Sequence, residues 1–184
     1  MTWDAVHRRA EVLRDVVDEA NLRRDGALPV DLPGVAETFA DDLALIAALQ
    51  LRWHTRLAGR IERTLVDQPA DLESAVLSAW RRTAADLPGV RMVLDAYAAE
   101  PTSTEMAEAL ATARRKEWVL LAAMAGRASA ADSGAGDVGR RIEEQARMAY
   151  DPTALPAGAD RPAEPSAGAP FAAIVHRIKA HLAA

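Results

Sequence analysis

An all-α fold, an irregular multi-helix bundle of six or seven helices, is what this sequence predicts, and three observations carry that reading. From Phe39 to Leu65 runs one apolar stripe, with Leu43, Ile46, Trp53, Leu57 and Ile61 spaced by three, four or seven residues and Gly59 as the only weak helix former. Half of the 184 residues are apolar while only 4% are aromatic; Ala and Leu, which dominate, favour helix over sheet. Capping residues and prolines punctuate the chain at helical lengths. A long rod with one apolar face must lie among other helices.

The first helix is predicted over Trp3 to Arg24, with Thr2 as N-cap and Trp3, Val6, Ala10, Leu13, Val17 and Ala20 as its seam. Asp25-Gly26 and Pro29 end it, and a loop through Asp31-Leu32-Pro33-Gly34 leads to the long segment, with a break at Asp41 or Asp42. Asp67-Gln68-Pro69 stops that rod, the proline suiting the first turn of a following helix whose buried side is Leu72, Val76, Trp80 and Leu87. Asp86-Leu87-Pro88-Gly89-Val90 then repeats the pentapeptide Asp31 to Val35 letter for letter, with unmatched flanks. Both copies read as a turn that ends in a fresh helix start.

A helix from Val90 to Ala99 is closed by Pro101. Thr102 and Glu105 have capping-box spacing and open a helix to about Arg127, with Met106, Leu110, Ala113, Leu121 and Met124 on its seam. Its second half is apolar nearly all round, so it is expected to be the most buried helix. Ser129 to Gly136 is a small-residue loop, and Asp137 caps a helix to Tyr150, where Arg140–Glu144 and Glu143–Arg147 read as solvated four-apart pairs. The organisation is therefore a bundle core over 1–150, a Pro/Ala/Gly-rich linker or crossover over 151–170, and a last amphipathic helix over 171–184. Phe171, Ile174, Ile178 and Leu182 give that helix an apolar face, which is expected to dock on the core or on a second subunit.

Composition narrows the function classes. There is no cysteine, so disulfides, thiolate metal sites and a cysteine nucleophile are excluded. No basic segment precedes an apolar one at Met1, and the longest apolar run, Trp118 to Ala125, is too short to span a bilayer. A formal charge of −5 argues against nucleic acid as partner. A cytoplasmic protein without membrane or nucleic-acid partners is the expectation. Arg doublets and the Arg114-Arg115-Lys116 cluster read as solvated helix faces.

Chemistry has little visible foothold. No Glu-x-x-His pair suited to a ferritin-like metal site occurs, and His176 and His181 are five apart, off a common helical face. No metal and no cofactor is expected. Gly-x-Ser-x-Gly is absent, and the adjacent carboxylates Asp41-Asp42 and Glu143-Glu144 diverge on a helix, so no catalytic residue is assigned. Trp53, Trp80 and Trp118 fall on three helices beside apolar stripes; with Met92 and Tyr97, and with His54 as a polar handle, they are the candidate lining of a ligand pocket. Core packing for the aromatic residues, and a seam edge for His54, is the competing reading. A helical enzyme or metalloprotein built around His54, Asp41 and Glu62 is the alternative function.

Phe39 to Leu49 resembles the segment of tetracycline-repressor (TetR) family regulators where the DNA-binding head meets the ligand-binding body. Phe39, Asp41 as cap, Leu45, Ile46 and Leu49 match that pattern, whereas Leu43 stands where the family usually has an acidic residue. The downstream order, a long helix, Leu72 to Ala85, a turn and Val90 to Ala99 before a proline, is also similar. Only about fourteen residues separate the first helix from Phe39, too few for a helix-turn-helix. The resemblance implies a regulator-like body without its DNA reader. A non-enzymatic binding protein for an apolar small molecule, forming a homodimer, is the functional expectation.

Overall fold

Asp41, Asp71 and Ser103 each turn a side-chain oxygen onto a backbone N–H three residues on, and each starts a helix there. In the computed structural model, which describes residues 3–150, the chain forms seven α-helices with no strand among those residues. They are α1 (Trp3–Arg23), α2 (Val35–Thr38), α3 (Asp42–Val66), α4 (Leu72–Asp86), α5 (Pro88–Ala99), α6 (Thr104–Met124) and α7 (Ala135–Met148). The fold is all-α. The expectations placed on Thr2, on 151–170 and on the helix at 171–184 lie outside the described residues.

Several local expectations are corrected. On α1 the seam holds at Leu13, Val17 and Ala20 but not before them: Val6 is 54% exposed and Ala10 is exposed, while Val12 and Val16 are buried in their place. The cover lies on that side, for α5 and the α2 segment pack there and Gly34 faces Val12. The break expected at Asp41 or Asp42 is present, the long rod starting at Asp42 after the cap at Asp41, but the residues before it form an extra short helix, α2. Pro69 is not in the first turn of α4; Asp71 caps that helix, and Gln68, at φ 48°, makes the reversal before it. Ser103 rather than Thr102 caps α6, since it is the residue placed to reach the Met106 N–H. Asp137 lies inside the first turn of α7 instead of capping it, where a carboxylate still complements the helix dipole.

The core is organised by α3, whose Leu45, Ile46, Leu49, Trp53, Leu57 and Ile61 are all buried. Burying each such side chain contributes about 1.5–3 kcal/mol, more than intrinsic helix propensity supplies. α3 lies along α4 and also touches α5 and α6; α6 lies along α7, and α1 along α5. Arg56 and Arg60 both reach Asp86, tying α3 to the end of α4. The second half of α6 is not the most buried stretch: Trp118, Val119 and Leu120 are half-buried, while α4 and α5 hold more buried positions between the longer helices.

Two glycines set the helix approaches. A Cβ on Gly89 would lie 1.8 Å from the Ala20 carbonyl oxygen, and one on Gly139 would lie 1.8 Å from that of Trp118, so α1–α5 and α6–α7 touch backbone to backbone. Asn21 of α1 accepts from the N–H groups of Gly89 and Val90 at 3.0 and 3.4 Å, which supplies the cap α5 lacks in its own sequence. The duplicated pentapeptide is thus used twice in different ways. Gly34 takes φ 84° ahead of α2, whereas Gly89 sits inside the first turn of α5.

Candidate functional site

Where α3 to α7 meet, a polar network is buried in the apolar core. Glu117 of α6, 3% exposed, accepts from the indole Nε1 of Trp53 at 3.0 Å and from that of Trp80 at 3.3 Å. The two indoles are fully buried and meet edge to face, with centroids 5.8 Å apart. The Arg91 guanidinium stacks on Trp53 at 4.8 Å and that of Arg147 on Trp80 at 5.1 Å. Asp95 gathers three guanidiniums, those of Arg91 at 2.9 Å, Arg114 at 3.3 Å and Arg147 at 2.8 Å. Trp118 donates to Glu143 at 2.5 Å, and Glu143 pairs with Arg147 at 2.6 Å. Glu143–Arg147 is therefore not a solvated pair, because Glu143 is buried; Arg140–Glu144 is exposed as expected.

Environment divides the three carboxyl groups. Burial pushes the Glu117 carboxyl above its ordinary range, with the nearby Glu143 adding to the effect, while Arg91 and the two indole donors oppose it. Burial acts on Glu143 too, but the charge of Arg147 and the Trp118 and Arg147 hydrogen bonds outweigh it and hold the carboxyl low. Asp95 is likewise held low, Arg91 and Arg147 overcoming its desolvation. Glu117 is thus an acceptor locked to two donors and shut away from substrate. Its role is to join α3 and α4 to α6.

The outer side of the α3–α6 contact is an open groove of about 410 Å³. α3 lines it with Leu43, Ile46, Ala47, Gln50, Leu51 and His54, and α6 with Ala109, Leu110, Ala113 and Lys116. Trp53 and Glu117, the bonded pair, immediately precede His54 and follow Lys116 in sequence, so the buried network fixes the wall behind the groove's polar end. Over the exposed Leu51 lies a second concavity of about 420 Å³ between α1 and α3, to which Arg9 and Arg52 contribute. A third, of about 380 Å³, brings Met92 beside Arg91, Asp95, Arg147 and Tyr150.

The residues singled out in the sequence are distributed over these features. Trp53, Trp80 and Trp118 belong to one network, in which the first two share Glu117 and the third reaches it through Glu143 and Arg147. His54 lines the groove, Met92 lines the third concavity, and Tyr97 is half-buried near Asp42, its hydroxyl pushed up by burial. Asp41, His54 and Glu62 are not brought together. Asp41 caps α3 and Glu62 is exposed near its other end, about 30 Å away at 1.5 Å per residue. Among the described residues no group of three His, Asp or Glu side chains is placed to hold a metal ion, and no helix is long and apolar enough to cross a membrane.

Glu117, Asp95, Arg91 and Lys116 were not legible as site residues, though one signal existed. Glu117 stands four after Ala113 and four before Leu121, squarely on the apolar seam of α6. A charge in such a slot is buried and needs partners. No family model matches the chain, and neither the curated proteins nor the solved structures contain one that matches it.

Proposed function

We propose that this protein is a non-enzymatic binding module, which takes an apolar small molecule in the groove between α3 and α6. The observation that carries this is the groove itself: about 410 Å³, floored by Leu43, Ile46 and Leu110, with Gln50, His54 and Lys116 as its few polar handles. That combination of volume, apolar lining and sparse polar groups is the common form of a ligand site. Support comes also from the rigid wall behind it, since the Trp53–Glu117 bond pre-organises α3 against α6 before any ligand arrives. The TetR-like order of segments favours the same reading, that of a regulator-like body without a DNA reader, paired as a homodimer in the cytoplasm.

N-phenyl-1-naphthylamine, an uncharged apolar fluorophore, tests it. The expected result is a saturable gain of emission at one probe per chain, abolished when Ala113→Trp fills the groove while thermal melting is unchanged. Ala109→Trp, at an exposed position on the same wall, serves as a second block should the first disturb folding. Equal probe binding by native protein and both variants overturns the proposal.

A further inference from the structure

We infer that the ligand of this groove is an anionic amphiphile, a molecule with an apolar body and a terminal carboxylate. The inference rests on the α3–α6 groove being a binding site, as proposed above, and adds the chemistry of what it takes. The groove's polar groups are gathered toward one end. His54 and Lys116 adjoin the bonded pair Trp53 and Glu117, and Gln50 is one turn before His54. Leu43, at the other end of the α3 lining, lies eleven residues away, about 16 Å along the helix. A body of that length laid on the apolar floor brings its head to the cationic end.

Charge selects the sign of that head. The whole chain carries 27 acidic residues against 22 Lys and Arg, yet no carboxylate lines the groove. Glu117, next to Lys116, turns inward to the two indoles and so does not neutralise it. Beyond Leu51 the adjoining concavity adds Arg9 and Arg52, again without an acid in its lining. Lys116 is exposed, so an uncharged occupant leaves its ammonium to water, an anionic one adds an ion pair there, and a cationic one meets repulsion. An anionic amphiphile matches both the floor and the end.

Decanoate, 1-decanol and decyltrimethylammonium, each below its micellar concentration, are titrated against protein loaded with N-phenyl-1-naphthylamine. Decanoate is expected to displace the probe at about fivefold lower concentration than decanol, the scale of one partly exposed ion pair, and the ammonium compound to be weakest. The decanoate advantage shrinks as salt is raised. Lys116→Gln brings decanoate to the level of decanol and leaves decanol unchanged; Lys116→Glu reverses the order of the two ions. Equal displacement by all three, or no displacement by decanoate of a probe that does bind, overturns the ligand class while the groove remains a binding site. Failure of the naphthylamine itself to bind overturns the site and this inference together. Binding to phosphatidylglycerol vesicles with no response to decanoate overturns it in favour of a lipid surface.

Discussion

Glu117 sits where an ionised carboxylate is unfavourable, and its acceptance of two buried indole N–H groups is what it offers the fold in return. Its native value lies above the ordinary 4.5, so the folded chain holds this proton more tightly than the unfolded one. That contribution is complete below the ordinary value and is lost as pH rises through the raised one. Asp95 and Glu143 have the opposite sign: their contributions are present above the ordinary carboxyl range and are lost as pH falls through the lowered values. Urea unfolding across pH 4 to 9 should therefore show a decline toward alkaline pH that Glu117→Gln removes. The same variant should itself lose about 1–3 kcal/mol, because its amide accepts through one oxygen and leaves one buried indole N–H unmatched. An alkaline decline of equal size in the variant would show that Glu117 is not its source.

Asp95 makes the complementary case. It is the shared carboxylate of Arg91, Arg114 and Arg147, of which Arg91 is almost wholly buried. Asp95→Asn is expected to destabilise the protein by about 3–5 kcal/mol, since removing one partner strands a buried charge. Arg114→Gln, at a more exposed member of the same set, should cost less than about 1 kcal/mol. Equal losses in denaturant titrations of the two variants would contradict the central place given to Asp95.

Among the elements, three glycines separate close packing from mere helix weakening. Gly89→Ala and Gly139→Ala drive a methyl into the backbone of the neighbouring helix and should each cost about 3 kcal/mol in denaturant midpoint analysis. Gly59→Ala, whose new methyl meets only the flexible Arg63 guanidinium at 3.4 Å, should stabilise by about 0.5–1 kcal/mol. A loss at Gly59 equal to that at Gly89 would remove the distinction. The helices themselves were largely legible, because periodicity and punctuation are local: of the stripe from Leu43 to Ile61 only Leu43 is less than buried, and the break expected at Asp41 or Asp42 is present. Faces were harder. On α1 two overlapping apolar rows exist, and only the position of α5 and α2 selects the row with Val12 and Val16. Starts were displaced by a residue or two where several capping letters adjoin, as at Thr102-Ser103.

For the whole molecule, the buried network was legible only in its aromatic members, and the groove only in His54 and the apolar stripes of α3 and α6. Trp53, Trp80 and Trp118 stand out by size, but of their partners only Glu117, on the apolar seam of α6, differs in the sequence from the Glu and Arg letters of solvated faces. Lys116 was equally hidden, since a basic cluster on α6 says nothing about α3 lying beside it. Convergence also has a temporal side. The Trp53–Glu117 bond joins residues 64 apart and the Arg147–Asp95 pair residues 52 apart, whereas each helix closes its own turns between neighbours. Loop-closure entropy must be met before such distant pairs give anything back. Stopped-flow refolding is therefore expected to show burial of the two indoles lagging the first rise of helical dichroism.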